Sequence, residues 1–148
     1  MTIAAFAALG VLVYTYFLYP ILIAICARVR PMKIRKDPGH TPMVSALIPV
    51  YNAEEYIAEK LESLLAQDYP SDRFEILLLS DGSSDGSDEI LATYAEKYPT
   101  RVRVFRAEER SGKPSALNRM RAEAKGEVML MTDIRQPVNK RCLRELVS

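Results

Sequence analysis

Four short polar clusters hold most of the side chains in this chain that could do chemistry. They are Pro49-Val50-Tyr51-Asn52, Ser80-Asp81-Gly82-Ser83, Gly112-Lys113 and Thr132-Asp133-Ile134-Arg135, each at the end of an apolar run or at a helix start. A carboxylate that follows an apolar strand, as Asp133 does, is costly without a partner, and a divalent cation bridging a diphosphate is a good one. Lys113 follows a Ser-Gly pair at a helix start, where its charge and the helix dipole both suit a phosphate anion. Asp81 is a carboxylate followed by a flexible Gly and can accept from N–H donors. Gly82 and Gly86 allow backbone shapes that a loop beneath a ligand requires. Purely structural uses stand beside these: Asn52 is equally suited to capping a helix, and Asp133 to pairing with Arg135.

Elements that place these clusters can be read from the apolar pattern. Val44 to Val50 is a short run suited to a strand buried on both faces. Asn52 is expected to cap the next helix, with Glu55 as its box partner and Ile57, Leu61, Leu64 and Leu65 on its apolar face. Phe74 to Leu79 predicts a second strand, Val102 to Phe105 a third and Glu127 to Met131 a fourth. Between them, Asp85 is expected to cap a helix carrying Ile90, Leu91 and Tyr94, and Lys113-Pro114 to open another that Gly126 closes. Strands alternating with helices predict an α/β fold, a parallel doubly wound sheet with right-handed crossovers. In such sheets ligands bind at the carboxyl ends of the strands, where Asn52, Asp81 and Asp133 all fall.

Taken together, and in this order, the clusters resemble the motifs of family 2 glycosyltransferases from about Ser45 to Val147, nearly all of the chain beyond residue 43. The resemblance implies a GT-A fold, Rossmann-like, and a nucleotide-diphospho-sugar donor, UDP-linked by preference. It implies inverting transfer to a glycan or lipid acceptor in polysaccharide biosynthesis. By resemblance, Asp81 contacts the base, with Pro49, Tyr51, Asn52, Gly82 and Ser83 shaping the nucleoside pocket. Glu54 or Glu55 stands near an acidic position of the family, with Ala53 inserted before it. Lys113 is implied at the donor diphosphate, and Asn118 on the following helix belongs to the same motif. Asp133 begins a D-x-D motif that holds Mg²⁺ or Mn²⁺, but Arg135 replaces its second acid, so Arg135 is expected to pair with the diphosphate or with Asp133.

The family's general base is an Asp or Glu well beyond D-x-D. Only 15 of the 148 residues follow Asp133, and the chain has no tryptophan for the family's Gln-x-x-Arg-Trp segment. Residues 44–148 are therefore expected to carry donor binding without the acceptor half, and Glu145 is not expected to be the base. The alternative is a non-catalytic nucleotide-sugar-binding subunit of a membrane complex, with an oligomer or partner subunit covering the open sheet edge. A nucleotidyltransferase fits less well, because Tyr51-Asn52 stands where a Gly-rich basic loop belongs.

Residues 1–27 contain no Asp, Glu, Lys or Arg. As a helix the stretch reaches roughly 40 Å, enough to cross a bilayer core of about 30 Å, and Pro20 is expected to kink it. An uncharged start argues against a cleaved signal peptide. Arg28, Arg30, Lys33, Arg35 and Lys36 follow it, and the positive-inside bias places them and the remaining chain in the cytoplasm. The organisation expected is a transmembrane helix over 1–29, a basic Pro-rich linker over 30–43 and the globular unit over 44–148. Net charge is +1, which gives no general attraction to nucleic acid. A lone histidine, His40, and two distant cysteines, Cys26 and Cys142, exclude a Ser-His-Asp triad, a His-based zinc site and a disulfide framework.

Overall fold

The computed structural model describes residues 2–31, 37 and 39–148. Lys33, Arg35, Lys36 and Pro38 of the expected linker lie outside the described residues. The chain divides into two compact units, Met1–Lys36 and Asp37–Ser148.

In the first unit, helix α1 (Thr2–Val13) runs through a π turn (Tyr14–Leu18) into α2 (Tyr19–Val29). The combined helix has 28 residues, a mean hydropathy of 2.1 over its most apolar window and no buried residue in that window. Its length and composition suit a membrane span. Where a kink was expected at Pro20, the helix carries the π turn, closed by the Tyr19 N–H donating to the Tyr14 carbonyl. A wider turn just before a proline relieves the clash between its ring and the carbonyl one turn back.

The second unit is built on four parallel strands: β1 (Val44–Val50), β2 (Phe74–Asp81), β3 (Val102–Ala107) and β4 (Val128–Met131). Their order is β3-β2-β1-β4. Crossovers run through α3 (Glu54–Leu65), α4 (Ser87–Lys97) and α5 (Lys113–Glu123), and α6 (Cys142–Val147) follows. The chain steps outward from β1 to β3, then returns to the other side of β1. That reversal leaves a crevice between the carboxyl ends of β1 and β4, the usual ligand site of open α/β sheets.

Strand alternation splits the core into two layers. Ala46, Ile48, Val50, Ile76 and Leu78 pack with Ile57, Leu61 and Leu64 of α3, Leu91 of α4 and Leu143 of α6. Leu47, Leu77 and Leu79 pack with Ala116 and Met120 of α5. At about 1.5–3 kcal/mol per fully buried aliphatic side chain, β1 and β2 anchor the domain. The edge strand β4 is far less covered, with Met131 56% exposed.

Three local expectations are corrected. Asn52 does not cap α3; Ala53 holds that position, and Asn52 has φ 45°, a left-handed conformation that Asn tolerates better than most residues. Gly126 does not close α5, which ends at Glu123 with Ala124 extended. Gly126 is there for close approach: a Cβ would lie 2.5 Å from the Ser45 backbone nitrogen. Strand β2 runs two residues further than Leu79, so Asp81 is its last residue, paired with Ala107 of β3.

Candidate functional site

A cleft of about 180 Å³ opens at the reversal point, lined by Pro49, Tyr51, Asp81, Arg110, Lys113, Asp133 and Arg135 among others. Asp81 is only 4% exposed and is committed to the loop above it. Its Oδ1 accepts from the Ser111 N–H at 2.8 Å and the Ser111 hydroxyl at 2.9 Å, and its Oδ2 from the Gly112 N–H at 2.8 Å. Burial pushes this carboxyl up, but those donors and the nearby Arg110 outweigh it and hold the group below the usual carboxylate range. Three acceptor positions are thus occupied, leaving about one of roughly four for a ligand.

The loop so anchored brings Arg110 over the ring of Tyr51, 4.0 Å from its centroid, and sets Lys113 at the first turn of α5. Gly82, at φ 70°, lies under this loop; a Cβ there would come within 2.9 Å of the Arg110 nitrogen. Glycine is required on both counts, since the left-handed backbone and the close approach each exclude a side chain. Arg110 was not recognised from the sequence. Nothing local marks it, because only the Asp81 anchor brings it into the cleft.

On the opposite wall, Asp133 is half-exposed. Its Oδ1 accepts from the Arg135 N–H at 3.1 Å, and its Oδ2 faces Lys113 Nζ at 3.4 Å. The Arg135 N–H is the main influence holding this carboxyl below its usual range, against the opposing effect of partial burial, with Lys113 and the Arg135 charge adding to it. A loose, half-exposed ion pair of this kind is worth less than about 1 kcal/mol and yields readily to a ligand. The Arg135 guanidinium lies 5.5 Å from the Tyr56 ring centroid.

Beneath that loop sits Lys60, fully buried. Its ammonium donates to the Thr132 hydroxyl at 2.8 Å and to the Gln136 carbonyl, bracketing Asp133. Burial lowers its pKa, and the Asp133 charge partly restores it. A sequence signal existed for this residue: Lys60 is three residues after Ile57 and four before Leu64, on the buried face of α3.

The remaining predicted residues lie outside the cleft lining. Asn52 accepts from the Ser84 N–H at 2.8 Å, and its own N–H donates to the Ser83 hydroxyl at 3.2 Å. Glu54 accepts from the Gly86 N–H at 2.8 Å, while Asp85 accepts from the N–H groups of both Glu54 and Ser87. Asp85 therefore caps α3 as well as the helix it precedes. Together these bonds lock the β1–α3 and β2–α4 loops to each other. Asn118 is exposed on α5 and takes no part in the cleft.

Of the two carboxylates that line the cleft, Asp81 is engaged by its loop and Asp133 is the one open to a divalent cation. Among the described residues, no three His, Cys, Asp or Glu side chains cluster as a metal cage. A cation held by Asp133 alone, with its other ligands from a diphosphate and water, still fits how Mg²⁺ is usually bound.

A parallel sheet reversing at β1, flanked by helices and with a cation-lined cleft at the reversal, defines an α/β domain of the GT-A type. The chain belongs to glycosyl transferase family 2, whose sequence profile matches residues 45–147. It is 39% identical over 90 residues to a poly(ribitol-phosphate) beta-glucosyltransferase of Bacillus spizizenii, covering 61% of this chain and 14% of that protein. It is 33% identical over 89 residues to the minor teichoic acid biosynthesis protein GgaB of Bacillus subtilis, covering 60% and 10%. In three dimensions it resembles the mannosyltransferase PcManGT of Pyrobaculum calidifontis in complex with GDP-Man and Mn²⁺. That likeness has a TM-score of 0.76 and 29% identity, over 93% of this chain and 43% of that one. It also resembles S. aureus TarS 1-349 in complex with UDP, with a TM-score of 0.64 and 35% identity, over 70% and 30%. The chain spans less than half the length of each of these relatives.

Proposed function

We propose that this chain is the donor-binding part of a membrane-anchored glycosyltransferase, using a nucleotide-diphospho-sugar, by preference a UDP-sugar, for inverting transfer to a glycan or lipid acceptor. The observation that carries this reading is the convergence of Tyr51, Asp81, Lys113 and Asp133 on one cleft at the sheet reversal. Its position fits the ligand rule for open sheets. The solved neighbours with GDP-Man or UDP support the ligand class.

In this reading Pro49 and Tyr51 border the nucleoside, with Arg110 stacked on the tyrosine ring. Asp81 has two tasks, anchoring Ser111 and Gly112 and offering its remaining acceptor position to the base. Lys113 and Arg135 meet the diphosphate, while Asp133 is the one ligand for Mg²⁺ or Mn²⁺. A bound divalent cation supplies positive charge to the leaving diphosphate. Neither carboxylate of the cleft is assigned as general base, since Asp81 is spent on its loop and Asp133 on Lys113 and Arg135. Helix Thr2–Val29 is assigned as the anchor over 1–29, with 30–43 as linker, 44–148 as the donor-binding unit and the cleft on the cytoplasmic side.

Calorimetric titration of the full chain in detergent with UDP in the presence of Mn²⁺ tests the donor reading. Binding is expected, weakened about tenfold or more by Lys113→Ala. Absence of heat with UDP and GDP alike would sink it. The engagement of both cleft carboxylates also favours a second reading, a non-catalytic nucleotide-sugar-binding subunit. Sugar transfer by the protein, lost on Lys113→Ala, separates the two in favour of the enzyme.

A further inference from the structure

The charges around the cleft are unequal. Arg110, Lys113 and Arg135 line it against Asp81 and Asp133. Asp81 stays ionised, but three donors of its own loop occupy most of its acceptor positions. Asp133 meets the Arg135 N–H on one oxygen and Lys113 on the other. Lys60 adds a further cation directly under the Thr132–Gln136 segment. A divalent cation at Asp133 therefore enters a field already positive, with one carboxylate to hold it.

A diphosphate arriving at the same place finds the opposite situation. Arg135 is exposed, and its planar guanidinium can take two phosphate oxygens at once, which an ammonium cannot. Lys113 is half-exposed and held to Asp133 only by a 3.4 Å contact, so it is released at small cost. Two exposed cations lining the cleft with Asp133 provide the neutralising charge that a bridging metal ion otherwise provides.

We propose that Arg135 and Lys113 together neutralise the donor diphosphate, so that nucleotide binding by this chain does not require a divalent cation. A cation bound through Asp133 strengthens binding without being needed for it. This inference rests on the donor-site reading above.

The test is calorimetry with UDP on the full chain in detergent, in excess EDTA and in excess Mn²⁺, with a thermal melt of each variant to confirm folding. The wild-type dissociation constant is expected to change by less than about tenfold between the two buffers. Arg135→Gln is expected to weaken binding in both buffers. Arg135→Asp, which removes the cation and adds a second carboxylate, is expected to lose binding in EDTA and recover it with Mn²⁺. Wild-type binding that is weaker in EDTA by about tenfold or more overturns the proposal, as does Arg135→Asp behaving like wild type in EDTA. Failure of the wild type to bind UDP or GDP in either buffer overturns the donor-site reading itself.

Discussion

The segment that closes β2 and the segment that leaves β4 occupy matching places on the sheet, and each presents an aspartate at the cleft. Asp81 ends a strand buried along its whole length and sits beneath the 108–112 loop, whose N–H groups it accepts. Asp133 follows an edge strand with half-exposed neighbours, and its carboxylate meets only a near backbone N–H and a loose lysine. One carboxylate has become part of the scaffold that aims Arg110 and Lys113. The other is left open to exchange partners. Burial, rather than residue type or motif position, separates the two roles, because a buried charge keeps its partners and a solvated one releases them.

The difference can be probed by substitution in the full chain, read by melting in detergent. Its supporting geometry is tested most severely by Gly126→Ala. A Cβ 2.5 Å from the Ser45 nitrogen must push β4 from β1, and a loss of about 3 kcal/mol or more is expected. Asp81→Asn comes next. One amide oxygen cannot serve donors on both sides, so the Gly112 N–H faces an NH₂ group. A loss of about 2–3 kcal/mol is expected, along with loss of UDP binding. A variant as stable as wild type would return Asp81 to a purely ligand-facing role.

Acid adds a check with a defined sign. Asp81 has a folded pKa below its unfolded value, so its contribution is complete above the unfolded carboxylate value of about 3.9 and is lost as pH falls through the folded value. The stability gap between wild type and Asp81→Asn should be level from about pH 5 to 7 and should narrow below about pH 4. A gap that widens on acidification would contradict the assignment.

Lys60→Met is expected to affect function more than stability. Removing a buried charge is favourable, whereas the Gln136 carbonyl and Thr132 hydroxyl lose a donor. The net change should stay within about 1 kcal/mol. Release of the 132–136 segment should nonetheless weaken UDP binding about fivefold, and unchanged affinity would remove Lys60 from the positioning of Asp133. The smallest effect is expected for Asp133→Asn, at under about 0.5 kcal/mol of stability, with the Mn²⁺ enhancement of UDP binding lost.

Much of the frame could be read in advance. Runs such as Val44–Val50 are too short and too apolar for anything but buried strands, and β1 has the expected bounds. The local errors share a cause. Asn52 and Gly126 are read against their sequence neighbours, as cap and helix stop. Their partners are Ser83 and Ser84 for Asn52 and Ser45 for Gly126, which lie in other segments. Lys60 was overlooked because lysine on an amphipathic helix is usually solvated, although its spacing put it on the inner face.

By itself the sequence determined the strand–helix alternation, the apolar N-terminal helix and the family, since these rest on hydrophobic period and on motif order along the chain. It also determined that Arg135 stands where a second acid was expected. Tertiary structure alone decided that Asp81 is spent on Ser111 and Gly112, that Arg110 joins the cleft, and that Lys60 underpins the Asp133 segment. Each of those outcomes depends on which polar groups lose water together when distant segments pack. A buried group must then find its partner across the fold rather than along the chain.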